Sequence, residues 1–532
     1  MSRCRKMCYA QPHRILERRL LDSGAMSQRE RLLIRGGRVL DLEQDLDQPP
    51  VRDILVEAGS ISAIGRDLVP AAAPGVEVID AAGMLVIPGF VNAHYHSHDV
   101  LAKGLMEDLT LEQWFTLSGT LGVRRALAEV RARTLAGAVE CLRNGITTVQ
   151  DLSGFWPLGE EVLDAILGAY AEAGIRVVYS VSLRDLPPID ALPWMRELVP
   201  AELHDLIGTK GDAPGPQIDF VARQIDRVGE RAGMLRWALS PSAPQRCSHA
   251  LLEAVADLSR RRRLPVYTHV YETRVQRLFF LERPANGGSA IRLMESLGLL
   301  GPLVTIAHGV WPDEDELDLI ARTQTNVVLN TLSNLKLKSG VAPILGYRAR
   351  GVNLALGCDN CSCSDVQSML QVMKLFCLLA AISSPERTDV TAADAFRAAT
   401  VGGARTAGLE NAIGALRPGY KADLVLIDLG DPAYVPFNSA VRQLVYSDSG
   451  RAIRTVIVDG EVVVRDGRAT RVDEAALREE IASVLPALRS EFRRLHAGYE
   501  KLRPYFDALQ KRAWATPYAS RFIGSPGTGS RT

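Results

Sequence analysis

Nine histidines occur in this 532-residue chain, and four of them stand where a metal site would need them. In VIPGFVNAHYHSHD, His94 and His96 are two residues apart at the end of an apolar run. Strand alternation would send both imidazoles to one side, which is a chelating geometry. His269 closes the run LPVYTH, His308 closes LVTIAH, and Asp359 closes VNLALGCD. Three or four imidazoles and one carboxylate suit Zn²⁺ first and Fe²⁺ second, with a coordination position left for water. A lone histidine at a strand end is usually just a hydrogen-bonded, part-buried side chain. The coincidence of five metal-compatible groups at the ends of four separate runs favours the metal. His98 shares the parity of His94 and His96, but the chain should be leaving the strand there, so it is expected behind the ligands or facing substrate.

A convergence of this kind requires a frame. Short apolar runs alternate with amphipathic stretches, the pattern of a parallel sheet covered by helices. Strands are predicted at 85–91, 146–150, 175–181, 235–239, 264–269, 303–308, 326–330 and 352–359. Eight strand–helix units match an α/β fold of the (β/α)₈ TIM-barrel type, whose chemistry sits at the C-terminal ends of the strands. The competing open sheet is disfavoured because no G-x-G-x-x-G opens a helix after an early strand. Period-two apolar segments near the beginning (LLIRGGRVLDL, DILVEAGSISAIG) return near the end (ADLVLIDL, TVIVDGEVVVRDGRATRV), with Asp459-Gly460 as a hairpin turn. They predict a small β domain built from both ends of the chain. The expected organisation is a disordered leader over 1–26, a composite β-sandwich from 27–84 and 413–472, the barrel over 85–412, and a helical C-terminal extension over 473–532 ending in a mobile SPGTGSRT.

Composition narrows the function classes. Sixty-two basic and 62 acidic residues cancel, so the basic surface that nucleic acid demands is absent and a small molecule is the expected partner. Eight cysteines are too sparse for a disulfide framework, which fits a reducing, cytoplasmic setting. The cluster Cys358, Cys361 and Cys363 resembles a metal clip but has no matching pair, and is expected to supply thiols to a pocket wall. The apolar run at 372–382 is too short to span a membrane, and the Arg-rich first 25 residues lack the apolar segment of a secretory signal. The basic run Arg260 to Arg263 is expected to be a solvated helix C-terminus. No histidine is followed by x-Glu, and Pro-Cys-x-x-Cys and H-E-x-x-H are missing, which removes the non-barrel zinc deaminases and the zincin proteases.

The segments PGFVNAHYH, THVYET, AHG, LNTLSNLKLKSGVAP and LGCDN resemble successive motifs of the amidohydrolase superfamily, in its cytosine deaminase and chlorotriazine hydrolase branch. The resemblance runs from Leu32 to Val472. It implies a metal held by His94, His96, His269 and Asp359, with His308 either completing the set or hydrogen-bonding the water. It also implies that Glu272, three residues past His269, shuttles protons as a buried acid. His308 and Asp359 are then the groups that orient and deprotonate the water. LRWALSPSAP supplies neither the carboxylate nor the lysine that would bridge a second metal, so one ion is expected.

Three departures concern the substrate: Ser242 stands where many relatives have histidine, Trp311 replaces a frequent histidine, and Asn360 follows Asp359 where glycine is common. Trp114 and Trp311 are expected either as flat walls for a planar heterocycle or as core beneath a loop, and Asn334 and Asn360 as hydrogen-bonding groups for its edge. The function expected is a mononuclear metal-dependent hydrolase of non-peptide C–N bonds, deaminating an amino-substituted nitrogen heterocycle. A chlorotriazine, alkylamino-triazine, urea or thiocarbamate hydrolase with the same metal site is the first alternative, and an inactive barrel serving as a scaffold the second. A homo-oligomer, dimer or larger, is expected.

Overall fold

A computed structural model describes residues 31–69, 75–118, 121, 123–208, 210–231 and 233–518. The expected leader and the SPGTGSRT tail lie outside the described residues. Five strands open the chain: β1 (Arg31–Val39), β2 (Val51–Glu57), β3 (Ser60–Gly65), β4 (Val76–Asp80) and β5 (Met84–Pro88). A second group follows: β6 (Phe90–His96), β7 (Ile146–Ser153), β8 (Arg176–Leu183), β9 (Leu235–Trp237), β10 (Ser240–Pro241), β11 (Val266–Val270), β12 (Val304–His308), β13 (Asn326–Leu329), β14 (Leu354–Leu356) and β15 (Asp359–Asn360). The chain then returns to the first sheet with β16 (Leu424–Asp428), β17 (Ile453–Val458), β18 (Glu461–Arg465) and β19 (Arg468–Ala469).

The first and last strands form one nine-stranded sheet, in which β5 joins the halves by pairing parallel to β1 and antiparallel to β16. Its residues alternate as a two-faced sheet requires. Leu32, Ile34, Ile54, Val56, Leu424 and Leu426 pack into one cluster, while Leu85, Ile87, Val425 and Ile427 belong to the main core on the other face. The Asp459-Gly460 turn between β17 and β18 has both residues at positive φ, 50° and 79°, as a two-residue hairpin turn needs. β4 was not anticipated; it is mostly exposed and lacks an apolar stripe.

The middle strands are all parallel. β6 pairs with β7, β7 with β8, and β8 with β9 and β10; a bridge from Leu239 to Val266 leads on to β11, then β12, β13 and β14. β15, just after β14, pairs back onto β6 through Asp359 and Tyr95, so the succession returns to its first strand. Each of the eight expected strands is present within a few residues, with one correction. The apolar stretch read as a single strand at 85–91 is two, β5 in the end sheet and β6 in the parallel group, divided at Gly89. A Cβ on Gly89 would come within 2.1 Å of Thr147 Oγ1, so only glycine lets the chain cross between the sheets there. Helices fill the connections, and the expected C-terminal helix runs over Glu474–Ala515, with the Asp473 side chain accepting from the N–H groups of Ala475 and Ala476 at its start.

Arg176 on β8 and Asp423 beside β16 tie the two sheets together. Their side chains are almost wholly buried and meet twice, at 2.9 and 3.1 Å, while Asp423 also accepts from the Asp459 N–H at 2.8 Å. Removing one member of such a pair leaves the other charge buried and uncompensated, at a cost of about 3–5 kcal/mol. Arg176→Met is therefore expected to lower the melting temperature markedly, and Arg176→Met/Asp423→Leu to recover much of the loss; calorimetry of the three proteins checks it.

Candidate metal centre

His94 and His96 lie on the same side of β6, both buried, with their Nε2 atoms 3.2 Å apart. His269 comes from β11, His308 from the end of β12 and Asp359 from β15. The structure brings all five together. Ring centroids of His94 lie 4.8 Å from His96, 4.9 Å from His269 and 5.4 Å from His308. Asp359 Oδ1 is 3.5 Å from His94 Nε2 and 3.4 Å from His96 Nε2, and Oδ2 is 3.8 Å from His308 Nε2. His308 and Asp359 hold positive φ of 71° and 64°, strained conformations that persist only where the surroundings fix them. Gln367 donates to the Asp359 carbonyl at 3.0 Å, and Asn92 on β6 accepts from the Cys358 N–H at 2.9 Å, which pins the turn that carries Asp359.

Backbone carbonyls orient the rings. His96 Nδ1 donates to Leu152 O at 2.7 Å and His269 Nδ1 to Ser242 O at 2.6 Å; His308 Nδ1 donates to Asn334 Oδ1 at 2.8 Å. A carbonyl oxygen only accepts, so the proton resides on Nδ1 and each Nε2 turns a lone pair inward. His94 Nδ1 is buried without a partner, and its Nε2 faces that of His96. With the proton on Nδ1, the Nε2 lone pairs of His94 and His96 face one another, an arrangement that a cation among the Nε2 atoms and Asp359 would relieve. Burial holds the His94 imidazole down to about 4, and lowers His269 and His308 as well. Burial works to raise Asp359, but His94, His308 and His96 outweigh it and keep the carboxyl well below the usual range. Neutral imidazoles around one ionised carboxylate are the ligand state of a divalent-metal site, and a divalent metal fits these residues.

A cavity of about 1,210 Å³, counted out to its mouth, opens onto these groups. Glu272 lines it, its Oε2 3.5 Å from His308 Nε2. Burial, then the carboxylates of Asp359 and Glu112, push the Glu272 carboxyl well above its ordinary range, which favours its protonated form. Trp114, Ser242 and Asn360 also lie on the wall; Trp114 Nε1 donates to Ser362 Oγ at 2.9 Å. His98 is on the wall as well, outside the ligand cluster, its Nδ1 accepting from the Gly154 N–H at 3.2 Å.

Two expected substrate contacts are corrected. Trp311 is core: it is 2% exposed, donates to Ser339 O, and packs among Arg274, Trp514 and Tyr518. Asn334 is occupied by the His308 ring and does not line the cavity. Of the three clustered thiols only Cys363 reaches the wall; Cys358 and Cys361 are packed in the core, and burial keeps all three protonated. Arg260 to Arg262 form the last turn of the helix His249–Arg262, exposed as expected. Glu112, Arg184 and Arg246 line the cavity and were not anticipated. Arg184 directly follows β8, so its place at a strand end was a usable signal; Glu112 and Arg246 offered none.

A profile of the amidohydrolase family matches residues 85–463. A 5'-deoxyadenosine deaminase of Methanothermobacter thermautotrophicus is 32% identical over 463 residues, covering 85% of this chain and 97% of its own length. A 5-methylthioadenosine/S-adenosylhomocysteine deaminase of Pyrococcus furiosus is 33% identical over 81% of this chain and 95% of its own. Among solved structures, an adenosine deaminase from Xanthomonas campestris with bound zinc superposes with a TM-score of 0.74 at 25% identity, over 86% of this chain and 98% of that one. A triazine hydrolase shares the fold with the same TM-score at 24% identity, over 86% of this chain. With its metal-compatible cluster at the ends of parallel strands and a family match across most of its length, the chain belongs to the amidohydrolase family.

Proposed function

We propose that this protein is a mononuclear metal-dependent aminohydrolase that releases ammonia from an amino-substituted nitrogen heterocycle of the purine-nucleoside kind. The observation that carries the reading is Glu272: a buried carboxyl pushed above its ordinary range, 3.5 Å from His308 and lining the cavity that opens onto the imidazoles. The parallel circuit is read as a (β/α)₈ barrel, meeting the end sheet at Gly89. His94, His96, His269 and Asp359 would hold the ion, Zn²⁺ by preference for such a nitrogen-rich set and for the zinc named in the Xanthomonas structure. When bound, it lowers the pKa of a water from 15.7 to about 7 and so supplies a nucleophile at neutral pH.

The protein's own groups do the rest. Glu272 gives its proton to the ring nitrogen as the adjacent carbon is attacked, which leaves a carboxylate able to take a proton from the attacking water and pass it to the departing amine. Asp359, already ionised, orients the water; His308, with its proton held at Nδ1, offers Nε2 to the same region. Trp114 supplies an apolar face, and the Asn360 amide on the wall a donor for the heterocycle edge. Assay of purines, nucleosides, pterins and triazines for ammonia, chloride and alkylamine tests the reading; chloride or alkylamine without ammonia overturns it.

Asn334 bears on the role of His308. Asn334→Ala removes the acceptor that fixes the ring and is expected to cost about 10- to 100-fold in metal affinity or turnover. Chelator competition beside steady-state rates assigns His308: loss of affinity marks it as a ligand, loss of kcat alone as the partner of the water.

A further inference from the structure

Two arginines line the cavity with no acid to answer them. Arg184 stands at the end of β8, its guanidinium making no hydrogen bond or ion pair among the described residues. Arg246 follows β10; it donates to Ser242 Oγ at 2.9 Å and stacks over the Phe115 ring at 4.3 Å, while Nε and Nη2 have no partner. Burial, then the neighbouring Arg184 charge, pushes Arg246 down to about 9, and burial lowers Arg184 too. Both remain cations at neutral pH.

The groups that could offset them are engaged elsewhere. Cys247 keeps its proton, donating to Leu183 O at 3.4 Å, and burial raises it to about 12. Asp185 accepts from the Ser248 N–H at 2.7 Å. Among the acids on the cavity wall, Asp359 and Glu272 face the imidazoles, and Glu112 accepts from Thr273 and Gln510 at 2.6 and 2.7 Å. Two part-buried, mutually repelling guanidiniums, with Nε and Nη2 of Arg246 enclosed and unpaired, offer an anion entering the cavity both charge and donors. The fork geometry of guanidinium matches carboxylate and phosphate alike.

We propose that Arg184 and Arg246 form an anion subsite beside the metal centre, so that the substrate carries a carboxylate or phosphate group as well as its amino-heterocycle. This rests on the aminohydrolase reading for the heterocycle and on the arginines alone for the anion. Ser242 connects the two: its hydroxyl accepts from Arg246 and its carbonyl from His269. The subsite and the metal centre therefore share one residue.

Product-like ligands test it without turnover. Calorimetric titration of the metal-loaded protein with inosine, inosine 5′-monophosphate and S-inosylhomocysteine is expected to show at least one anionic compound binding about 10-fold or more tighter than inosine. The better of the two identifies phosphate or carboxylate as the group preferred. Arg184→Met and Arg246→Met should each reduce the ratio of anionic to neutral affinity about 10-fold, and Arg184→Lys should retain most of it. A wild-type protein that binds inosine as tightly as both anions overturns the proposal whatever the variants do, and so do folded variants with an unchanged ratio. Ammonia assays run separately distinguish the failures: anion selectivity without deamination removes only the aminohydrolase reading, and deamination without anion selectivity removes only the subsite.

Discussion

Glu272→Gln is expected to lower kcat by about 10²–10⁴-fold while the protein keeps its metal. The size follows from the loss of one general acid–base group, and retention of the metal follows from charge. Burial and the nearby carboxylates favour the protonated form of Glu272, and for that form glutamine is a neutral replacement of the same shape. The electrostatic balance at His308, 3.5 Å away, is preserved, and only the transferable proton disappears. A rate effect confined to kcat, with KM little changed, would mark an interaction made in the transition state rather than in substrate binding. Metal analysis beside steady-state ammonia release measures both, and full activity in this variant would falsify the mechanism.

Asp359→Asn should be more damaging. Its carboxylate is the anion shared by His94, His96 and His308, and an amide offers the ion neither the charge nor the same donor strength. Loss of bound metal and a fall in turnover of at least about 10⁴-fold are expected, because without the ion the nucleophilic water returns toward a pKa of 15.7. Wild-type protein stripped by a chelator should fall equally far and recover with stoichiometric Zn²⁺, whereas the variant should not. An Asp359→Asn protein with a full complement of metal would exclude Asp359 as a ligand.

The cluster of imidazoles and carboxylate was legible in the sequence because each member obeys a local rule. His94 and His96 share a side by strand alternation, and His269, His308 and Asp359 end apolar runs; no knowledge of distant packing is needed for any of them. The error at 85–91 has a physical origin: both sheets bury that stretch on both faces, so the pattern is continuously apolar, and the crossing is dictated only by Thr147 packing against Gly89. For Trp311 the sequence leaves wall and core both open, and distant packing decides for core. Its position just past β12 suits a pocket wall, but Trp514 and Tyr518, supplied from the far end of the chain, enclose it. The unpaired arginines were the least legible, since what distinguishes them is which acids are missing beside them.

The helix Glu474–Ala515 reaches back to the neighbourhood of Glu272. Both residues that follow Glu272 are anchored to the chain's far end: Thr273 through Glu112 to Gln510, and Arg274 by donating to the carbonyls of Ala513 and Thr516. The segment that carries the Glu272 carboxyl is thus held by anchors 239 and 242 residues further along, so a change confined to that distant helix is expected to be felt at this carboxyl without touching the imidazoles.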